Sequence, residues 1–147
     1  MLGYYRGAPF DERHLDLFSR YFQALAQDEG AVLIHCTAGK DRTGLLAALT
    51  HHVAGVHRDD IFDDYLLTNT VASFERRLPA VAQMIVELSG RTPTDAAVRA
   101  AISVDSAYLE TAFAVIEARN GSIDAYLQHA LGVDDVLRER VASRLIG

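Results

Sequence analysis

The 147-residue chain has no tryptophan, a single cysteine and only three prolines, and its fourteen basic residues are outnumbered by twenty acidic ones. One cysteine, Cys36, excludes an intrachain disulfide and a cysteine-built zinc site, which suits a reducing compartment and leaves the thiol itself to be explained. A formal charge of -6 leaves no electrostatic footprint for nucleic acid or an anionic membrane, so any anionic ligand must be held by a local site. No apolar run approaches the ~18 residues needed to span a bilayer. Residues 1–10 also lack the basic start and apolar stretch of a signal peptide. The expectation is a soluble, cytoplasmic protein with no integral membrane segment and no nucleic-acid partner.

What the chain does have is a hydrophobic half, enough for one core and one domain spanning residues 1–147. Asp11 is placed to cap a helix whose apolar residues Leu15, Phe18, Phe22 and Leu25 recur at spacings of three and four, ending near Gly30. Residues 31–35 (Ala-Val-Leu-Ile-His) form a continuous apolar run after a glycine, the pattern of a buried strand. A loop follows over residues 36–42. From Thr43, the residues Leu45, Leu46, Leu49 and Val53 mark a helix that Gly55 terminates, so residues 31–55 read as strand, loop and helix.

Residues 58–147 read as a helical bundle. Asp59 or Asp60 opens one segment through Leu67, and a second runs from Val71 to Leu88, with Pro79 starting a new helix or kinking this one. Gly90 to Pro93 is a break. Asp105 or Ser106 caps a helix carrying Leu109, Phe113 and Ile116, Gly121-Ser122 separates it from a short helix ending at Gly132, and Asp134 begins the last.

The chemistry concentrates in His35-Cys36-Thr37-Ala38-Gly39-Lys40-Asp41-Arg42-Thr43-Gly44, where a loop meets a helix start. Backbone N–H groups of such a loop converge on one centre, the helix points its positive end there, and Gly39 and Gly44 permit close backbone approach. Phosphate is the natural occupant, with Thr37, Ala38, Gly39, Lys40, Asp41 and Arg42 forming the cradle. A thiol at its base shifts from ~8.5 towards the ~3.5–7.5 range of cysteines beside cations and helix N-termini, making it a thiolate nucleophile. Arg42 supplies a planar fork for two phosphate oxygens, and Thr43 can donate to the sulfur. His35 is expected to orient the loop.

His-Cys, five residues, Arg, Thr is the signature of the cysteine-based protein tyrosine phosphatase superfamily, and the Lys40-Asp41 pair resembles its bacterial atypical branch. The resemblance extends through Tyr5-Arg6 to Gln27, through Asp64-Tyr65-Leu66-Leu67-Thr68-Asn69, and through Tyr108-Leu109 to Gly121-Ser122. It implies a phosphomonoester hydrolase acting through a cysteine thiophosphate on phosphotyrosine, and on phosphoserine, phosphothreonine or phosphoinositides, with no metal and no cofactor. Members of that branch are longer and carry strands and an acidic loop ahead of the region where this chain begins. The implied architecture is therefore the C-terminal part of a tyrosine-phosphatase-like α/β fold, mostly helical with few strands.

Most tyrosine phosphatases bring their general acid from some thirty residues before the cysteine, where this chain has Gly3-Tyr4-Tyr5-Arg6. Asp11 and Glu12 are committed to capping, which leaves Asp41, inside the loop, as the acid or as an anchor of the loop. Lys40 is read either as a solvated loop lysine or as a cation for a second phosphate of an inositol lipid. Arg76 and Arg77 read as a solvated helix face from which one guanidinium could reach a substrate phosphate. His51, His52 and His57 near Asp59, Asp60, Asp63 and Asp64 do not make a metal site, because adjacent histidines on a helix point about 100° apart. Tyr65 and Tyr108 are expected to pack with hydrogen-bonded hydroxyls. The alternative to an enzyme is an inactive phosphate-binding fragment or a subunit. A lone strand needs neighbours, so either residues 1–8, self-association or a partner chain is expected to complete the sheet.

Overall fold

A computed structural model describes residues 1–27, 30–69 and 73–146. Its helices are α1 (Leu2–Gly7), α2 (Glu12–Leu25), α3 (Asp41–Val53), α4 (Arg58–Leu66), α5 (Ser73–Ser89), α6 (Asp95–Ile102), α7 (Ser106–Asn120), α8 (Ile123–Leu131) and α9 (Asp135–Ile146). No strand occurs among the described residues, which corrects the expectation of an α/β fold. Residues 31–36 are apolar in pattern but irregular in structure. A strand exists only when a second backbone supplies the ladder, and residues 1–10, the segment available to do so, coil into α1 and a 3₁₀ turn at Ala8–Phe10. Leu33 is consequently 86% exposed.

The helices form where the sequence supplies both an apolar stripe and a stop. Asp11 accepts hydrogen bonds from the Arg13 and His14 N–H groups at 3.0 and 3.3 Å, and Asp105 and Ser122 cap α7 and α8 in the same way. Gly121 and Gly132 close those two helices at φ +88° and +68°, a conformation that costs other residues about 1–2 kcal/mol. In α7, Leu109, Ala112, Phe113 and Ile116 are buried at helical spacing and form the spine of the core, with α1, α4 and α8 packed against it. Phe18 and Phe22 of α2, Leu45 and Leu49 of α3 and Val141 of α9 complete the same cluster. Each fully buried side chain of this size contributes about 1.5–3 kcal/mol.

Several boundaries differ from the pattern reading. The helix after the loop starts at Asp41 rather than Thr43, and α4 starts at Arg58 with His57 as its cap. The helix α5 runs unbroken through Pro79; the Val71 boundary expected for it lies outside the described residues. The helix α6, which pattern alone did not single out, is capped by Thr94.

One close approach seats the first turn of α3 against the bundle, and a second contact braces the helix it rests on. Gly44 has no Cβ, and one placed there would lie 2.8 and 3.0 Å from Cε2 and Cδ2 of the buried Tyr65 ring, so glycine is what lets that ring lie on the helix start. The Asn69 side chain then pairs with the backbone of Val104, donating to its carbonyl at 2.9 Å and accepting from its N–H at 2.8 Å, which ties the end of α4 to the α6–α7 link. Gly44→Ala is expected to lower stability by about 1–3 kcal/mol through overpacking. The urea midpoint measures this, and an unchanged midpoint would mean that the Tyr65 ring moves freely.

Candidate active site

The loop from residue 36 to residue 40 closes directly into α3, whose first hydrogen bond runs from the Gly44 N–H to the Lys40 carbonyl at 2.7 Å. Gly39 sits at φ +65°, a backbone state that an L side chain resists. This turn brings the N–H groups of Gly39, Lys40 and Thr43 onto the Cys36 sulfur. The Thr43 hydroxyl is buried and has no hydrogen-bond partner among the described residues, and its proximity to Cys36 favours the thiolate. Partial burial raises the thiol pKa, but the Thr43 hydroxyl and the three amides outweigh it and lower the pKa to about 7.

Arg42, the second residue of α3, is exposed and donates to the Thr37 hydroxyl at 3.0 Å. Its guanidinium therefore stands beside the loop, with one hydrogen bond among the described residues. Cys36, Thr37, Ala38, Asp41 and Arg42 line a cavity of about 410 Å³ together with Tyr4 from α1 and with Asp11 and His14 at the start of α2. On the other side of the sulfur lies an apolar groove of about 280 Å³ between α2, α3 and residues 32–35, which His35 also lines. His35 is exposed and makes no hydrogen bond among the described residues.

Lys40 is placed quite differently from a rim cation. It is only 5% exposed, and its Nζ donates to the carbonyls of Ala101 and Ser103 at 2.7 and 3.0 Å, with Asp41 Oδ2 at 3.8 Å. The ammonium is spent on the link between α6 and α7, where it fastens the loop to the bundle. The reading of Lys40 as a solvated lysine or as a ligand for a second phosphate has no support in this placement.

Asp41 is held by a chain of hydroxyls. The fully buried Tyr5 donates to Asp41 Oδ1 at 2.8 Å, and the Tyr5 and Tyr65 hydroxyls lie 2.7 Å apart. Because the Tyr5 proton is committed to the carboxylate, Tyr65 is the donor in that second bond. Burial raises both phenol pKa values, that of Tyr65 to about 12, so both stay protonated donors at neutral pH. Tyr108 stacks on Tyr5 with ring centroids 5.4 Å apart, which fixes the plane of the relay. Pattern reading marked Tyr65 as a hydrogen-bonded core tyrosine but gave Tyr5 no role, since the two hydroxyls are separated by 60 residues.

Arg77 is the other residue that the sequence placed on a solvated face. From α5 its guanidinium reaches the loop and donates to the Ala38 carbonyl at 2.5 Å. The Arg76 side chain lies outside the described residues. No group of three or more potential metal ligands occurs among the described residues, and no described helix is long and apolar enough to cross a membrane.

Comparison with known proteins places this geometry in context. The family model described as the tyrosine phosphatase family matches residues 1–147. The chain is 34% identical over 125 residues, 85% of its length, to a protein of Cupriavidus necator that carries the name tyrosine-protein phosphatase, and it covers 44% of that protein. It is likewise 34% identical over 122 residues, 79% of its length, to the triple specificity protein phosphatase of Mycobacterium tuberculosis, again covering 44% of the relative. A tyrosine-protein phosphatase of Nostoc commune is 50% identical over 52 residues, which is 35% of this chain and 18% of that one. The chain thus spans less than half the length of the curated relatives it matches.

Because Cys36 is the one cysteine, alkylation by iodoacetamide reports on it alone. The rate is expected to rise with pH through a midpoint of about 7 and level off above it, since the thiolate is the reacting form. Thr43→Ala removes a donor to the thiolate and should move the midpoint upward; a midpoint unchanged by that substitution would remove Thr43 from the thiolate's environment.

Proposed function

This chain belongs to the tyrosine phosphatase family, and from that premise we propose that it is a metal-independent phosphomonoester hydrolase with Cys36 as nucleophile. The observation that carries the reading is the convergence of two loop amides, the Thr43 amide of α3 and the Thr43 hydroxyl on one sulfur, with Arg42 beside it. An arrangement that stabilises a thiolate also binds the three equatorial oxygens of a phosphoryl group in transfer. Cys36 Sγ attacks phosphorus and the ester oxygen departs with its electron pair, leaving a thiophosphate. Arg42 bridges two equatorial oxygens, exchanging its Thr37 contact for the substrate. Water then attacks the thiophosphate, inorganic phosphate leaves, and the Thr43 hydroxyl assists the departing thiolate.

The leaving oxygen needs a proton. Asp41 lines the mouth of the cavity with Cys36 and Arg42; its Oδ1 accepts from Tyr5 and its Oδ2 lies 3.8 Å from the Lys40 ammonium, so taking up the proton on Oδ2 means giving up that ion pair. Asp11 reaches the same mouth but uses Oδ1 to cap α2. Phosphotyrosine is the proposed substrate, and the likeness to a triple specificity phosphatase supports a breadth beyond it. With Lys40 turned inward, phosphoinositide recognition has no dedicated cation in the loop. A free thiolate nucleophile fits a reducing compartment, which supports a cytoplasmic location. The exposed apolar residues 32 and 33, beside the groove under the sulfur, support pairing of this segment with a second polypeptide.

Phosphate release from phosphotyrosine tests the nucleophile: Cys36→Ser is expected to abolish turnover yet retain binding of phosphate or vanadate, whereas Arg42→Lys weakens both. Undiminished turnover in Cys36→Ser would sink the mechanism. The acid is tested by leaving group. Asp41→Asn should slow phosphotyrosine hydrolysis by about 10²-fold or more while sparing an activated aryl phosphate whose anion leaves unaided. Equal loss on both substrates assigns Asp41 to loop architecture.

A further inference from the structure

The Ala38–Gly39 peptide is gripped from both sides. On its outer side the Ala38 carbonyl accepts from the Arg77 guanidinium at 2.5 Å, and on its inner side the Gly39 N–H faces the Cys36 sulfur. In a trans peptide the C=O and N–H of one plane point in opposite directions, and no cis peptide occurs among the described residues. Whatever holds the carbonyl outward therefore aims the amide inward. Gly39 at φ +65° is where the chain turns to allow this, and without an outer partner that peptide has a free carbonyl and a flexible glycine beside it. Arg77 comes from α5, which the Glu75–Arg99 pair fastens to α6 at 2.8 Å, and it has no ion-pair partner among the described residues.

We propose that Arg77 is a positioning residue for the nucleophile, acting through the Ala38–Gly39 peptide by holding its carbonyl away from the site and its N–H on the Cys36 sulfur. The cation does more than fix an orientation. A hydrogen bond donated to a carbonyl withdraws electrons from the amide and strengthens the bond that the same amide donates. Its contact with the loop is at the face opposite the sulfur, so the substrate phosphate need not touch it. The solvated-face reading of this arginine is replaced by one in which α5 helps to set the charge state of the thiol. The proposal rests on the reading of Cys36 as nucleophile.

The thiol does not titrate in isolation. Arg42 and Asp41 face the same cavity from α3, Asp11 and His14 from the start of α2, and Tyr4 from α1, with His35 on the groove side. A guanidinium could also act on the sulfur through space, and salt separates the two routes. At about 1 M salt the screening length falls to about 3 Å, which removes an exposed through-space effect and leaves a hydrogen-bonded peptide in place.

The experiment is the pH dependence of Cys36 alkylation by iodoacetamide in the full chain, for the wild type, Arg77→Met and Arg77→Gln, at about 0.05 M and about 1 M salt. Far-UV circular dichroism checks folding. Both variants are expected to raise the midpoint by roughly half to one unit at both salt concentrations. Arg77→Gln, shorter but still polar, decides the matter alone if Arg77→Met does not fold. An unmoved midpoint overturns the proposal, as does an upward shift that disappears in high salt. A variant that binds inorganic phosphate more weakly at an unchanged midpoint also overturns it, because Arg77 would then be a ligand of the anion. Alkylation reads the thiolate and not turnover, so a wild-type chain without phosphatase activity would defeat the proposed function and leave this measurement decisive on its own terms.

Discussion

A negative sulfur in a partly buried site is the constraint around which the rest of this molecule is arranged. Burial works against the charge, and what outweighs it is a set of neutral dipoles: the amides of Gly39, Lys40 and Thr43 and the Thr43 hydroxyl, gathered about one atom. Dipoles of this kind have force only while they are held in place, because an amide that can turn away will do so when the sulfur is neutral. The bundle therefore matters to the site chiefly as a fixture. Lys40 anchors the loop to the carbonyls of Ala101 and Ser103, Tyr5 anchors Asp41 at the first turn of α3, and Arg77 anchors the Ala38 carbonyl. Each grips the loop away from the sulfur.

That division explains how a chain of net charge -6 can hold a phosphate-shaped site. Of the two cations in the signature, Arg42 lines the cavity and Lys40 is turned away and satisfied by backbone carbonyls. Placing several free cations at the mouth would attract anions indiscriminately and would have to be desolvated with every substrate. Arg77, on the outer carbonyl of Ala38, instead polarises the Gly39 amide that faces inward, and the attraction for an oxyanion is then short in range and directional. Tyr65 and Tyr5 serve the same end from the other flank, where a carboxylate in the loop is met by buried phenols that remain donors at neutral pH.

Local signals were the legible part of the sequence. The cysteine-to-arginine spacing, the cap at Asp11, the cap at Asp105 or Ser106, the break at Gly121-Ser122 and the stop at Gly132 all act within a few residues of themselves, and the structure begins or ends α2, α7 and α8 at those caps and glycines. The strand expected at residues 31–35 failed for the opposite reason. A run of apolar β-formers specifies only half of a sheet, and the missing half is a property of some other segment. Lys40 was misread on the same principle: its partners lie 61 and 63 residues away, and a lysine beside a phosphate loop has no sequence mark that separates a rim cation from a buried tether. A faint signal for the relay did exist, in the glycine that follows Thr43, since Gly44 opens the space that the Tyr65 ring occupies.

The pattern that joins these cases bears on how such a site can change without losing its motif. Cys36, Arg42 and Thr43 are contiguous enough that the signature survives as a unit, but the tethers come from α1, α4, α5 and the α6–α7 link, elements that have other packing duties. A substitution among those tethers would leave the motif intact while letting an amide swing or a carboxylate drift, and would register first in the thiol's charge state and only then in stability. Reactivity in this fold is thus distributed more widely than the ten-residue signature, and it is concentrated in polar contacts of long sequence separation. The apolar core tolerates exchange of similar volume at modest cost. A tether whose partner is a single carbonyl has no such latitude, because the direction of one peptide plane decides whether its amide faces the sulfur.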